Sequence, residues 1–204
     1  MHPQVLDTFR DLCRPLAISG RVLEIGVSTS HPALLDMPEL KDALSRTGVG
    51  LEAGFEGATF TALQADAHDL SGFDSGAFQL VVSNAMLEHD PRFWLTLAEA
   101  RRLTAPGGWM VFGAPSYGPM GSVPGRRLVG RLARWPLIGK RWRLRRDALA
   151  ASSLTLGVHR YPEDYYRFSA AAMGEVILGG LVELEVRTIL SPPRVIGRGR
   201  KPLS

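Results

Sequence analysis

The stretch Arg21-Val22-Leu23-Glu24-Ile25-Gly26-Val27-Ser28 has the pattern of a buried strand that ends in a tight turn. Its first residues are mostly apolar and β-favouring, as in parallel strands that are covered on both faces. Gly26 follows directly, and open α/β sheets bind their ligands beyond the carboxyl ends of such strands. Glu24 lies inside the apolar run, where a carboxylate is costly unless it is hydrogen-bonded. Taken alone, the stretch fits an ordinary strand end with a solvated acid equally well.

The rest of the chain alternates strand and helix patterns up to Pro115, and this alternation predicts a parallel sheet with right-handed crossovers. The patterns predict helices at 3–17, at 31–46 with a break near Pro38, from Asp90 onward, and from Ser169 to Gly180. They predict further strands at 49–52, 59–65, 78–83, 109–112 and 181–190, and a brief one at 195–196.

Composition indicates one soluble globular domain spanning 1–204, with 45% hydrophobic and 22% charged residues. The single cysteine, Cys13, excludes an internal disulfide and a cysteine-only metal site. No apolar run approaches the roughly 18 residues of a membrane span, and the N-terminus lacks a signal-peptide pattern. These features predict a cytoplasmic protein.

The net charge of +4 is unevenly distributed along the chain. Residues 1–125 carry 8 basic against 14 acidic residues, whereas residues 126–204 carry 16 against 6. Residues 126–146 hold nine basic residues, no acid and several interleaved apolar side chains, within a basic insertion at about 118–157. This insertion fits a lid packed on the domain, an arm on an anionic membrane surface or lipid-linked substrate, or a nucleic-acid contact.

Six short motifs occur in an order and spacing that resemble class I S-adenosylmethionine-dependent methyltransferases. They are Val22-Leu23-Glu24-Ile25-Gly26, Val49-Gly50-Leu51-Glu52, Ala65-Asp66-Ala67-His68-Asp69-Leu70, Phe78-Gln79-Leu80-Val81-Val82-Ser83, Leu87-Glu88-His89 and Leu103-Thr104-Ala105-Pro106-Gly107-Gly108. Together they cover roughly residues 20–115. The later stretch Tyr161–Ser169 resembles a "DYxRF" element of a bacterial subset, often of the methyltransferase type 11 kind.

The resemblance implies a Rossmann-like three-layer α/β sandwich with a mostly parallel seven-stranded sheet in the order 3-2-1-4-5-7-6. It implies S-adenosylmethionine as cofactor, with Glu52 accepting from the ribose hydroxyls and Asp66 from the adenine amino group, beside the Ala67 backbone. The other cofactor-binding residues that it implies are Glu24 near the amino end, Gly26 and Ser28 in the first turn, and Asn84 and His89 on the methionine side.

The first turn departs from the family pattern, because it reads Gly26-Val27-Ser28-Thr29-Ser30 where two further glycines are common. A less permissive turn favours weaker cofactor binding, although Ser28 or Ser30 can donate hydrogen bonds to a carboxylate. The missing glycines also argue against a nicotinamide enzyme. They leave open a degenerate methyltransferase fold that binds cofactor or a partner without turnover.

Methyl transfer from a sulfonium to a hydroxyl or amine requires alignment, exclusion of water and, for some acceptors, a base. His89 and His159 are the candidate bases, with pocket shaping and a surface role as their respective alternatives. The expected acceptor is a small, sugar-containing or lipid-linked metabolite. Nucleic-acid methylation is disfavoured, because 84–87 lack an Asn-Pro-Pro-Tyr-like element and the chain lacks a Pro-Cys nucleophile. The remaining histidines show no metal-binding pattern.

Overall fold

A computed structural model describes residues 1–29, 31–52, 59–119, 153–155 and 163–203. Nine strands lie within these residues: β1 (Arg21–Ile25), β2 (Ser45–Gly50), β3 (Thr61–Gln64), β4 (Phe78–Asn84), β5 (Thr104–Pro115), β6 (Tyr117–Pro119), β7 (Ser153–Thr155), β8 (Val182–Leu190) and β9 (Pro193–Arg200). The α-helices of the same part are α1 (Pro3–Cys13), α2 (Phe93–Leu103) and α3 (Ala170–Ala172), which continues as a π-helical turn over Met173–Ile177. Short 3₁₀ turns span Arg14–Leu16, Leu34–Asp36, Pro38–Leu40 and Leu87–His89.

Seven strands form one sheet in the order β3-β2-β1-β4-β5-β9-β8. Pairings among β1 to β5 are parallel, and β9 is antiparallel to both β5 and β8. Apart from the small pair β6–β7, this is the predicted order 3-2-1-4-5-7-6, so the predicted architecture is confirmed. In an open parallel sheet of this kind the carboxyl ends of β1 to β5 lie at one edge, where ligands bind.

Two hydrophobic clusters cover the two faces of the sheet. Leu23 and Ile25 of β1 point into the cluster that includes α2 and the π-helical turn, whereas Val22 points into the cluster that includes α1. This alternation follows from the two-residue period of a strand, and it explains why β1 is apolar on both faces. The layers therefore stack as helix, sheet and helix.

The prediction of a helix at 31–46 is wrong. The chain forms only the two 3₁₀ turns at Leu34–Asp36 and Pro38–Leu40 there, and β2 begins at Ser45 instead of 49. Pro32 and Pro38 explain the error, because each lacks a backbone donor and drives the residue before it away from helical geometry. Met37, which precedes Pro38, accordingly has extended backbone.

Other boundaries differ by a few residues. Helix α2 begins at Phe93, and the Asp90 carboxylate accepts hydrogen bonds from the Arg92 N–H and the Thr96 hydroxyl beside its first turn. The helix predicted to start at Ser169 is capped by that residue, since its hydroxyl accepts from the Ala172 N–H. The brief strand expected at 195–196 extends over the eight residues of β9.

Several predictions lie outside the described residues, namely the basic segment 126–146, His159 and Ser30. The single-domain organisation with its insertion at 118–157 stays a prediction. Of the helices in the described ranges, none is long and apolar enough to cross a bilayer. In the same part of the chain, no group of three or more His, Cys, Asp or Glu side chains is arranged to hold a metal ion.

Candidate functional site

The strand order brings the predicted cofactor residues to one edge of the sheet. Gly26 follows β1, Glu52 follows β2 by two residues, Asp66 follows β3, and Asn84 ends β4. The parallel register places these ends side by side, with Ile25 paired to Val49 and Glu24 paired to Val82. The described residues therefore form a polar edge along β3, β2, β1 and β4.

Position 26 requires a glycine, because of its backbone conformation and because of a close neighbouring side chain. Its φ of +92° lies in the region that favours glycine. A Cβ atom at this position would lie 2.7 Å from both Cβ and Cγ of Met86, in the loop after β4. The Gly26 N–H donates to the Val49 carbonyl at 2.8 Å, which ties the turn to β2. The missing side chain thus makes room for the loop after β4.

Val27 occupies a space that a glycine of β2 leaves open. The valine is buried, and a Cβ atom at Gly48 would lie 2.7 Å from its Cγ1. The Val27 N–H also donates to the Val49 carbonyl, at 3.1 Å. The Val27 side chain is therefore accommodated by the missing side chain of Gly48 in β2. A first turn that departs from the family pattern fits against the sheet in this way.

The Glu52 carboxylate is bound by the first turn. It accepts from the Ser28 hydroxyl at 3.2 and 3.3 Å, from the Thr29 N–H at 2.7 Å and from the Thr29 hydroxyl at 2.6 Å. Ser28, which stands where a glycine is common, and its neighbour Thr29 thus orient the acid at the end of β2.

Glu24 is 5% exposed, and its carboxylate accepts from the Leu35 N–H at 3.1 Å. Burial raises the pKa of this carboxyl to about 7, with Asp36 adding to the increase and the backbone donors of Leu34 and Leu35 opposing it. Glu24 therefore holds the segment between β1 and β2 from inside the domain. Its predicted contact with the amino end of a cofactor stays a prediction.

Asp66 has a side chain that is 62% exposed, and its Oδ1 accepts from the His68 N–H at 2.9 Å. The adjacent Ala67 is half-buried and packs against the hydrophobic cluster. The His68 ring reaches the buried Asp90, with Nε2 2.8 Å from Oδ1. Sequence reasoning had given His68 no partner, because the two residues are 22 positions apart and no local pattern joins them.

Asn84 carries a buried acceptor at the end of β4. Its Oδ1 atom has no hydrogen-bond partner among the described residues. A buried acceptor without a donor is rare and costs free energy unless a ligand or water supplies one. Among the described residues, this atom fits the ammonium group of an amino-acid moiety, which is the part of the cofactor predicted to lie here.

His89 connects the loop after β4 to the segment 163–169, here called the cover. Its Nδ1 is hydrogen-bonded to the Glu163 carbonyl, and because that oxygen can only accept, Nδ1 carries the proton. The cover is attached by two further backbone bonds, from Tyr165 N–H to the Glu88 carbonyl and from Phe168 N–H to the Pro115 carbonyl. The cover therefore lies across the carboxyl ends of β4 and β5.

A buried group of charged residues lies within the cover and beneath it. Glu88 is fully buried and forms an ion pair with Arg194 of β9 at 3.4 Å, while Arg167 binds both oxygens of Asp164. Burial lowers the pKa of Arg194, and the Asp164 hydrogen bond raises the pKa of Arg167. Sequence reasoning quoted Glu88 and Arg167 within motifs but could not pair Glu88 with a residue 106 positions away.

The aromatic residues of the cover pack mainly on α2. Tyr166 and Phe168 both contact the Phe93 ring edge-on, with centroid distances of 5.1 and 5.3 Å. The Tyr166 hydroxyl donates to the Pro91 carbonyl at 3.0 Å. Tyr166 and Phe168 therefore pack the cover onto α2, while Tyr165 remains about half exposed.

The sheet order is that of the fold that class I S-adenosylmethionine-dependent methyltransferases share, as the motifs predicted. A sequence-family model described as "Methyltransferase domain" matches residues 25–112, which run from the end of β1 into β5. Over these residues the chain is similar to methyltransferase domains, as the motifs predicted, and such a domain implies S-adenosylmethionine as its cofactor. No curated protein sequence matches the chain significantly.

Solved structures share the fold at low sequence identity. A phosphoethanolamine N-methyltransferase 2 from Haemonchus contortus, in complex with S-adenosyl-L-methionine, aligns with TM-score 0.61 and 13% identity over 98% of this chain and 53% of its own. An S-adenosylmethionine-dependent methyltransferase from Archaeoglobus fulgidus gives 0.58 and 14% over 97% and 93%. The [4+2]-cyclase SpnF gives 0.63 and 14% over 98% and 81%. This chain spans about half the length of the nematode enzyme.

Proposed function

We propose that this chain transfers the methyl group of S-adenosylmethionine to a hydroxyl, or an amine, of a small metabolite, with sugar-containing and lipid-linked acceptors as the leading classes. The observation that carries the proposal is the row of groups at the carboxyl edge. Gly26, Glu52 and Asp66 follow three adjacent strands of a methyltransferase sheet, and a buried acceptor on Asn84 lies at the end of the next strand.

Each polar residue of this edge would bind a different part of the cofactor. Glu52, oriented by Ser28 and Thr29, would accept from the ribose hydroxyls. Asp66 would accept from the adenine amino group, beside the Ala67 backbone. Asn84 Oδ1 would accept from the ammonium group, with Glu24 nearby. When bound, the cofactor supplies an activated methyl group on a sulfonium, and the chain's task is to orient both reactants and exclude water.

The acceptor would bind where the cover meets the ends of β4 and β5. His89 contacts the cover there, and its main role in this proposal is to shape the pocket. With the ring proton on Nδ1, the lone pair of a neutral His89 is on Nε2, which suits a base for an acceptor hydroxyl. His159 remains the second candidate base, and an unchanged turnover number in His159→Ala would remove it.

The proposal is tested by calorimetry with S-adenosylmethionine and S-adenosylhomocysteine on the full chain. We expect both to bind, and we expect Glu52→Ala to lower the affinity at least tenfold, because hydrogen bonds to a charged group contribute roughly 1.5–3 kcal/mol each. Glu183→Ala on β8 is the matched control, since Glu183 is an exposed acid away from this edge. Absence of binding to the unsubstituted chain would refute the proposal.

A second candidate function is a degenerate methyltransferase fold that acts as a regulator or partner subunit. The observation that favours it is the sequence of the first turn, in which Ser28 and Ser30 stand where further glycines are common. Weak or absent binding of both cofactor forms supports this alternative. Binding without methyl transfer to any acceptor of a panel of sugars, lipid-linked precursors and amines also supports it.

A membrane-surface role for residues 126–146 is a separate part of the proposal and can accompany either function. Basic and apolar residues interleaved in this way suit an anionic lipid surface on the inner face of the membrane. Co-sedimentation with vesicles of anionic and of neutral lipid, with and without residues 126–146, tests the idea. Equal sedimentation of the two forms of the protein would end it.

A further inference from the structure

The Met86 side chain fills the gap between the ends of β1 and β4. A Cβ atom added at Gly26 would lie 2.7 Å from both Cβ and Cγ of Met86, so the methionine lies directly against the Gly26 backbone. Met86 is partly buried and packs on the same hydrophobic cluster as Leu23 and Ile25 of β1. The two strand ends that it separates are those to which the proposed function assigns the amino-acid part of the cofactor.

The backbone is held on both sides of this contact. The Ala85 N–H donates to the Gly113 carbonyl at 2.9 Å, and the Met86 carbonyl accepts from the His89 N–H at 2.9 Å. Ala85 has a φ of +56°, a left-handed conformation that costs free energy in a residue with a Cβ atom and recurs at ligand sites. The backbone therefore holds Met86 in place, and the flexible side chain beyond its Cβ is the part that can move.

We infer that Met86 is a specificity-determining residue that controls the access of a ligand's amino-acid part to the cofactor site. The inference rests on the proposed function, in which Gly26 and Asn84 flank that part. With Met86 against Gly26 the gap is filled, so a ligand with an amino-acid end binds only after the side chain has rotated away. The apparent affinity for such a ligand is reduced by the fraction of molecules in which the gap is open.

Calorimetry on the full chain with two ligands isolates this effect. S-adenosylhomocysteine and 5′-methylthioadenosine share the adenosine and the sulfur, but only the first carries the amino-acid part. Met86→Ala removes every side-chain atom beyond Cβ, so the open fraction rises and the affinity for S-adenosylhomocysteine should increase on the order of tenfold. The affinity for 5′-methylthioadenosine should stay the same, because this ligand leaves the gap empty.

Two control variants separate the filled gap from a general loosening of the fold. Met86→Leu keeps most of the bulk and should leave the ratio of the two affinities unchanged. Met173→Ala removes a methionine that packs on a glycine in a similar way, since a Cβ atom at Gly197 of β9 would lie 2.8 Å from the Met173 Cγ. Met173 is fully buried beside β9, so its loss should lower thermal stability without changing the ratio.

A ratio that rises in Met86→Ala and stays constant in both controls supports the inference. An unchanged ratio in Met86→Ala, or an equal rise in either control, overturns it and leaves the proposed function intact. A lower ratio in Met86→Ala also overturns it, because Met86 would then contact the bound amino-acid part instead of blocking it. Failure of the unsubstituted chain to bind either ligand overturns the proposed function itself.

Discussion

Replacing Glu24 with glutamine tests whether the acid at the start of the site is buried in the way that the structure indicates. The carboxyl group is 5% exposed, and burial raises its pKa to about 7 from the ordinary value of 4.5. The donors from Leu34 and Leu35 are too few to offset the loss of hydration. The folded protein therefore binds this proton more tightly than the unfolded chain does.

The pKa difference gives the sign and size of the effect. Between pH 4.5 and pH 7 the native state holds a proton at Glu24 that the unfolded state has lost, so stability falls as the pH rises through this window. One pKa unit corresponds to 1.36 kcal/mol, so the loss from this group amounts to about 3 kcal/mol by pH 8. The contribution is complete below pH 4.5 and is lost above pH 7.

Urea unfolding at several pH values from 4.5 to 8.5 measures the effect. Glutamine does not titrate, so the difference in unfolding free energy between the unsubstituted chain and Glu24→Gln should change by about 3 kcal/mol across the window. Glu99→Gln is a control whose difference from the unsubstituted chain should stay nearly constant in this window, since a hydrogen bond from Arg102 lowers the pKa of Glu99 below its ordinary value of 4.5. A constant difference between Glu24→Gln and the unsubstituted chain would refute the reasoning.

Three further experiments test how buried residues pack in the fold. Gly26→Ala should destabilise the fold by about 3 kcal/mol, because the φ of this residue is +92° and the new Cβ would lie 2.7 Å from Met86 atoms. Adding Met86→Ala should recover part of the lost free energy of unfolding, as measured with urea. Burial raises the pKa of Cys13 to about 12 from 9.0. A thiol reagent at pH 8 should therefore react on the order of a thousandfold more slowly with the native protein than with the urea-unfolded protein. Equal rates would contradict the burial of this thiol. Arg194→Met should cost about 3 kcal/mol by removing the ion pair that Arg194 forms with the buried Glu88. The double variant with Glu88→Gln should be more stable than Arg194→Met alone.

The strands were predictable where the local pattern alone determines them. The apolar runs that became β1 and β4 are covered on both faces, so burial, strand propensity and length agree. The order of the seven strands came from the resemblance to a family and not from any single run. The cap at Ser169 was readable because its hydroxyl bonds a backbone donor only three residues away.

The segment before β2 and the polar contacts of the site could not be read in the same way. Residues 31–46 have apolar spacing that suits a helix, yet the two prolines dominate and leave only 3₁₀ turns. The bonds of His68 to Asp90 and of Glu88 to Arg194 join parts of the chain that are separated by 22 and 106 positions. Such pairs depend on the tertiary arrangement, and a single sequence contains no local signal for them.

The first turn shows why a missing motif residue is weak grounds for discarding a site. Additional glycines would leave the turn permissive, whereas here Val27 packs into the space over Gly48 and the turn is bonded to Val49. Ser28 and Thr29 then direct their donors at Glu52, so Ser28, one of the residues that break the motif, helps to orient the acid that the motif predicts. A turn that is stiffer but carries its own donors holds Glu52 in place before a ligand binds. The departure therefore changes how the site is organised, and calorimetry with Glu52→Ala measures whether that organisation serves a cofactor.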